Sequence, residues 1–129
     1  MMNRIIYIAF VSSILFSQSV IHNPNYTHKS EDNYNVEASL IGYLGDYSEL
    51  KATLFYRSYG QSTYFNDRMI YLNGKFMHSI PSSFINNAIE YYIIIEAESG
   101  SVYAFPDNSP FENPVLVKSE NYSSSLNKS

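Results

Sequence analysis

The 129-residue sequence contains no cysteine and no tryptophan. Without cysteine the chain forms no disulfide framework, carries no lipid anchored through a cysteine, and has no thiol nucleophile. Its stability must therefore come from a packed core. Tryptophan offers the largest face for stacking on sugar rings, so its absence counts against a carbohydrate-binding module.

Positive charge is also sparse. Eight Lys and Arg residues stand against twelve Asp and Glu residues, which gives a formal net charge of −4, and the basic residues form no cluster. Nucleic-acid binding needs clustered Lys and Arg side chains to neutralise phosphates. We therefore expect no nucleic-acid partner.

Aromatic and β-branched residues are abundant, with thirteen Tyr and eight Phe, and two runs alternate with the period of a strand. In the run 89–98 this period places five side chains on one apolar face: Ile89, Tyr91, Ile93, Ile95 and Ala97. In the run 50–57 it turns four side chains inward: Leu50, Ala52, Leu54 and Tyr56. We expect the two runs to be neighbouring strands in the middle of one core.

The first nineteen residues have the pattern of an export signal. Arg4 supplies the positive start, residues 5–16 form an apolar run, and Ser17 and Ser19 are the small residues that a signal peptidase reads. We predict a signal peptide over residues 1–19, and a protein exported to the periplasm, the cell surface or the medium. The alternative is a retained membrane anchor, which the run is too short to form because a spanning helix needs about 20 apolar residues.

The rest of the chain divides into three parts. Residues 20–35 lack alternation and are predicted to be a disordered linker, and residues 119–129 form a Ser/Asn-rich tail predicted to be disordered. Between them, residues 36–118 carry strand signals at 36–43, 50–57, 63–65, 69–72, 75–80, 89–97 and 102–105, with a short edge strand at 115–117. This pattern predicts an all-β domain, a two-sheet antiparallel sandwich of six or seven strands.

The pair Asn73-Gly74 is the strongest turn signal in the sequence. Both residues tolerate the positive φ that a type I′ turn requires. We therefore predict a β-hairpin that joins the strands 69–72 and 75–80.

Several motifs together resemble an immunoglobulin-like, fibronectin type III-like domain of exported bacterial proteins. They are Leu54-Phe55-Tyr56-Arg57, Asn73-Gly74-Lys75-Phe76, Ile80-Pro81, Ile89-Glu90-Tyr91-Tyr92-Ile93 and Glu96-Ala97-Glu98-Ser99-Gly100. The resemblance covers residues 36–106 and implies an immunoglobulin-like sandwich. Its motifs are structural, so they specify a fold and hardly any activity.

Candidates for catalysis are few. His22, His28 and His78 have no partners at the spacing of metal ligands, so we expect no metal and no cofactor. Glu96 and Glu98 share one side of a strand, where a solvated outer face explains them as well as paired carboxylates would. We also find no nucleophile elbow and no phosphate-binding loop in the sequence, and we expect the protein not to be an enzyme.

Three aromatic residues are the candidate binding site. Phe55 and Tyr92 lie on the outward phase of adjacent strands, and with Tyr103 nearby they would form a flat platform for a partner. The alternative is that a neighbouring loop or domain covers them. We therefore expect an exported structural or interaction module that contacts a protein partner or a neighbouring domain. A carbohydrate- or ligand-binding module that uses the aromatic face is the alternative.

Overall fold

The computed structural model of the chain describes residues 18–29, 31–85 and 87–120. Within these ranges the chain forms two short 3-10 helices, Tyr47–Glu49 and Ser82–Phe84. It also forms ten strands there: β1 Ser19–Ile21, β2 Thr27–His28, β3 Tyr34–Ile41, β4 Lys51–Ser58, β5 Phe65–Arg68, β6 Ile70–Leu72, β7 Lys75–Ile80, β8 Ala88–Glu96, β9 Val102–Phe105 and β10 Val115–Ser119. None of the described helices is long and apolar enough to cross a membrane.

The strands form two sheets that face each other across one core. The first sheet has the order β1-β3-β7-β6, and the second has the order β2-β10-β8-β4-β5, with β9 beside β8. The strand pairs are antiparallel, with the exception of the short parallel pair β2 and β10. The prediction of an all-β, two-sheet sandwich is confirmed, although the described chain has more strands than the six or seven predicted.

Strand β8 is the centre of the second sheet. It pairs with β4 along all eight residues of that strand, and on its other side it pairs first with β10 and then with β9. The predicted inward faces of both strands are buried, and Ile89, Tyr91, Ile93 and Ile95 have no exposed surface. The first sheet contributes Val36, Phe76 and Ile80 to the same core. The alternation of the two runs was therefore predicted in the correct phase.

The predicted Asn73-Gly74 turn is confirmed. Asn73 has φ 52° and Gly74 has φ 81°, and the flanking residues Leu72 and Lys75 pair with each other. Positive φ at both central residues is the signature of a type I′ turn, whose twist matches that of the strands it joins.

The segment 20–35, predicted as a disordered linker, is instead part of the fold. Val20 lies in β1 and is only 8% exposed, and His22 and His28 are buried as well. Strand β1 pairs with β3, so the folded unit begins well before residue 36. A strand of three residues is too short to show a period in the sequence, which is why the pattern indicated a linker.

Two further boundaries differ from the prediction. The strand expected at 63–65 lies at Phe65–Arg68, and β10 lies between β8 and β2 instead of forming an edge. The predicted signal peptide lies mostly outside the described residues, as does most of the predicted tail. The cleavage site at the end of the predicted signal peptide, after Ser19, falls inside β1.

The core makes one testable prediction. Ile93 is fully buried in β8, so its replacement by Ala should leave a cavity and lower the free energy of unfolding by about 2–5 kcal/mol. Lys51 is exposed on the adjacent strand, and Lys51→Ala should cost at most about 0.5 kcal/mol. Denaturant unfolding of both variants measures the difference, and equal effects would contradict the strand phase.

The start of the fold makes a second prediction. The Gln18 side chain donates a hydrogen bond to the Gly42 carbonyl oxygen at 3.2 Å, and Ser19 pairs with Ile41. A chain that begins at Val20 loses these contacts and places a charged amine beside a core residue. It should unfold with a free energy lower by about 1–3 kcal/mol than a chain that begins at Gln18. Equal stability of the two chains would show that Gln18 and Ser19 contribute nothing to the attachment of β1.

Candidate functional site

The outer face of the second sheet carries an aromatic pair. Phe55 lies directly opposite Tyr92 in the register of β4 and β8, and their rings stack with centroids 4.7 Å apart and planes inclined by 10°. The ring of Tyr64 meets the Tyr92 ring edge-on at 4.9 Å. We call Phe55, Tyr64 and Tyr92 the outer aromatic group. The structure thus brings together two of the three predicted binding residues and adds Tyr64.

An ion pair fixes one side of the outer aromatic group. Arg57 Nε lies 3.1 Å from Glu90 Oε1, and the Arg57 guanidinium lies 4.2 Å above the Tyr64 ring. The Tyr64 hydroxyl reaches the Phe111 carbonyl oxygen at 3.4 Å, so the loop between β9 and β10 covers part of this face. Burial raises the pKa of Tyr92, and the nearby Arg57 charge opposes the rise. The group is half-buried, which is intermediate between the two alternatives of an open platform and a covered one.

Tyr103 does not belong to this face. In β9 it pairs with Ile95, a core residue of β8, and it packs against the core from its partly exposed position. Paired residues point to the same side of a sheet, so Tyr103 lies on the face opposite to Phe55 and Tyr92. The sequence pattern indicates which side chains of one strand share a face. Which side chains of the next strand lie on that same face depends on the number of residues in the turn between the two strands.

The first sheet has a more exposed apolar surface at its β6 edge. Ile70 is 67% exposed and Leu72 is 53% exposed, and Met77 of β7 lies next to Ile70 in the register. We call Ile70, Leu72 and Met77 the β6 patch. A surface groove of about 610 Å³ runs along it, with Asn35, Glu37 and Ser79 on its polar side.

The backbone of β6 also has a free side. The sheet ends at β6, and in the described chain no strand pairs with it on the side away from β7. Leu72 and Lys75 flank a two-residue turn and form a hydrogen-bonded pair, so Tyr71 falls in the next, non-hydrogen-bonded pair. The N–H and C=O groups of Tyr71 therefore point away from β7, toward the free side.

The edge of the second sheet is different in character. Strand β5 carries Asn66, Asp67 and Arg68, whose polar and charged side chains discourage pairing with another chain. Strand β6 follows one residue later in the same segment and has the sequence Ile-Tyr-Leu. The β5 edge is thus protected by charge and the β6 edge is not.

A polar cluster joins the two sheets near β5. Asp67 Oδ2 accepts a hydrogen bond from the Tyr56 hydroxyl at 2.6 Å and lies 3.0 Å from His78 Nε2. Burial, together with the Asp67 carboxylate, raises the pKa of Tyr56 to about 12. His78 lies on the inner side of its strand, and the sequence did not indicate its partner, because the three residues come from three strands. The cluster ties β4 and β5 to β7.

A second buried network lies at the N-terminal segment. His22 Nε2 is 2.6 Å from the Tyr91 hydroxyl, which is 3.1 Å from the Tyr34 hydroxyl. Nearby, His28 is buried with no hydrogen-bond partner for its Nε2 atom. Both histidines lie in the segment predicted to be a linker. The sequence pattern did not indicate the contact of His22 with Tyr91, because 69 positions separate the two residues.

Comparisons with known proteins identify the fold. No protein-family model matches the chain, and neither does any curated protein. Among solved structures, two variants of the superoxide reductase (neelaredoxin) from Ignicoccus hospitalis are similar to it, with TM-scores of 0.57 and 0.55. Each is 9% identical, and the match covers 84% of this chain and 85% of the other. At this identity the likeness establishes the fold alone.

The comparison corrects the sequence-based assignment. The similar structures are superoxide reductases and not immunoglobulin-like or fibronectin type III-like domains, so that resemblance was wrong, and so was the function inferred from it. The quoted motifs describe alternating strands and turns, which two-sheet sandwiches of different families share.

The donor set of the described residues does not fit a redox-active metal. Superoxide reduction consumes an electron, and a metal ion supplies it in many enzymes. The sequence has no cysteine, and the described residues contain no group of three or more His, Asp or Glu side chains that could hold a metal ion. No redox step therefore follows from these residues.

The outer aromatic group makes a third prediction. Stacked rings contribute about 0.5–1.5 kcal/mol beyond the area they bury. Phe55→Ala and Tyr92→Ala should therefore show a coupling of that size in a double-mutant cycle of unfolding free energies. Phe55→Ala paired with the exposed Tyr59→Ala is the control, and we expect no coupling there. A coupling of zero between Phe55 and Tyr92 would contradict the stacked geometry.

Proposed function

We propose that this protein binds a protein partner by adding an extended segment of the partner to β6. The observation that carries the proposal is the unprotected β6 edge, with exposed Ile70 and Leu72 beside the free backbone groups of Tyr71. Natural proteins usually protect such edges with charge, proline or a covering element. An edge left open beside apolar side chains favours binding.

Strand addition uses both parts of this surface. The partner's backbone would bond to the N–H and C=O of Tyr71, and its alternate side chains would pack on the β6 patch. Backbone pairing supplies affinity, and the patch selects apolar side chains in the partner. The groove along the patch is open at the surface and gives room for them.

The outer aromatic group is a second candidate surface for a protein partner. Its support is the stacked pair Phe55 and Tyr92, which the Arg57–Glu90 ion pair holds in place. A rigid aromatic group binds at a low entropic cost because its side chains are already ordered. The β6 edge is preferred because it is more exposed and leaves backbone groups free.

Export remains part of the proposal. It rests on the sequence of residues 1–19, most of which lie outside the described residues. An exported protein with an open strand edge would meet its partner in the periplasm, at the cell surface or in the medium.

The proposal is tested by two substitutions at one position. Tyr71→Pro removes the outward N–H at an edge position that tolerates proline, together with the aromatic ring. Tyr71→Ala removes the ring but keeps the N–H, and is the matched control. We expect the proline variant to lose at least about tenfold in partner affinity relative to the alanine variant, because a lost hydrogen bond of about 1.4 kcal/mol is a factor of ten.

The partner is found first by photo-crosslinking in the producing cells. A photoreactive amino acid at position 70 on β6 should give an adduct with another protein, and the same amino acid at position 66 on β5 should not. Equal adducts at both positions, or equal binding by the two Tyr71 variants, would argue against strand addition. Loss of the adduct on changing Phe55 and Tyr92 to Ser would favour the outer aromatic group.

A further inference from the structure

His22 connects the N-terminal segment to both sheets. Its Nδ1 atom lies 2.7 Å from the Glu37 carbonyl oxygen of β3, and its Nε2 atom lies 2.6 Å from the Tyr91 hydroxyl of β8. The imidazole also meets the Phe105 ring of β9 edge-on at 5.1 Å. His22 is 8% exposed and follows β1 directly, so it is a buried polar attachment of this segment to both sheets.

The partners of His22 determine its protonation state. A carbonyl oxygen only accepts hydrogen bonds, so Nδ1 must carry a hydrogen to bond Glu37. In the neutral imidazole Nε2 is then the acceptor, and the Tyr91 hydroxyl donates to it. The Tyr34 hydroxyl donates to the Asn25 carbonyl oxygen at 2.9 Å, and its oxygen lies 3.1 Å from the Tyr91 oxygen. The Tyr91 hydroxyl is therefore the donor of the bond that holds the neutral imidazole to β8.

Proton uptake must change the bond between His22 and Tyr91. A protonated imidazole has two donors and no acceptor, so Tyr91 can no longer donate to it. The Tyr91 hydroxyl would have to turn its hydrogen from His22 toward the Tyr34 oxygen, 3.1 Å away. The Tyr91 hydroxyl is buried with the imidazole, so the positive charge would lie in a region that water reaches poorly.

The surroundings also disfavour a charge on His22. From β8 it is faced by the neutral Tyr91 hydroxyl, and from β9 by an apolar ring. The Glu37 carboxylate lies 3.4 Å from Lys75 and both are about half exposed, so this pair is neutral overall and screened by water. No described carboxylate forms a hydrogen bond or ion pair with the imidazole. Burial lowers the pKa of His22, and its hydrogen bond to the Glu37 carbonyl only partly offsets this.

We propose that His22 is an acid-sensitive latch, and that its protonation releases residues 18–28 from the two sheets. Burial makes protonation of His22 less favourable in the folded protein than in the released segment. The stabilisation that His22 gives to the docked segment is therefore fully present above pH 6.5, its ordinary pKa. It is lost as the pH falls below that value. Release of β1 would uncover the edge of β3, with Leu40 and Ile41 along it.

Amide hydrogen exchange of the full chain tests the latch. Because successive pairs of an antiparallel ladder alternate, only one of the Val20 and Ile21 amides bonds to β3. We expect the protection of that amide, corrected for the intrinsic effect of pH, to fall several-fold between pH 7.5 and pH 5.0. The amide of Ile93 in β8 is the internal reference and should keep its protection. Unchanged protection of β1 at pH 5.0 would overturn the proposal.

Two variants separate His22 from the other histidines. His22→Gln removes the imidazole, so β1 should be less protected than in the wild type. The glutamine stays neutral at both pH values, so the protection of β1 should not depend on pH. His78→Gln removes a partly buried histidine that bonds Asp67 of β5 and makes no described bond to residues 18–28, so this variant should retain the acid effect. An acid effect that persists in His22→Gln would refute the assignment.

A direct titration covers the case in which His22→Gln does not fold. The ring nitrogen signals of His22 in the wild type should titrate over the same pH range in which β1 loses protection. Titration of His22 without any loss of β1 protection would show that the segment stays docked when charged, and would also overturn the latch.

Discussion

The pairing of β4 with β8 is the constraint on which the rest of the molecule depends. These strands run side by side for eight residues, and that register decides which side chains enter the core and which form the outer face. Because a strand alternates, burying Tyr91, Ile93 and Ile95 necessarily turns Tyr92 and Ile94 outward. The same step that builds the core therefore sets Tyr92 against Phe55, and it aims the Tyr91 hydroxyl at the N-terminal segment.

The sequence predicts those parts of the structure whose signals are local. The inward faces of 50–57 and 89–97 and the turn at Asn73-Gly74 follow from the strand period and from backbone conformation. The N-terminal strand could not be found in this way, because three residues give only one inward side chain, Val20. The side of Tyr103 depends on turn length, and the contact of His22 with Tyr91 depends on the complete topology. Local patterns do not contain either kind of information.

The likeness to the superoxide reductases concerns the fold alone. Two chains that are 9% identical share a sandwich over most of their lengths, yet this one has no cysteine and no described cluster of metal donors. Its polar residues are used to join elements: Asp67 links Tyr56 with His78, and His22 links β3 with β8. The immunoglobulin-like assignment failed for the same reason, since motifs that specify alternating strands do not distinguish one sandwich family from another.

The crossing at Met69 has a mechanical consequence. Strands β5 and β6 belong to different sheets but to one continuous segment, and Met69 between them is buried and donates its N–H to the Ala52 carbonyl oxygen at 2.9 Å. Tension applied to β6 passes along this segment into β4, the strand beside β8. A force applied to β6 is therefore carried by β4 in the second sheet as well as by the hairpin of β6 and β7.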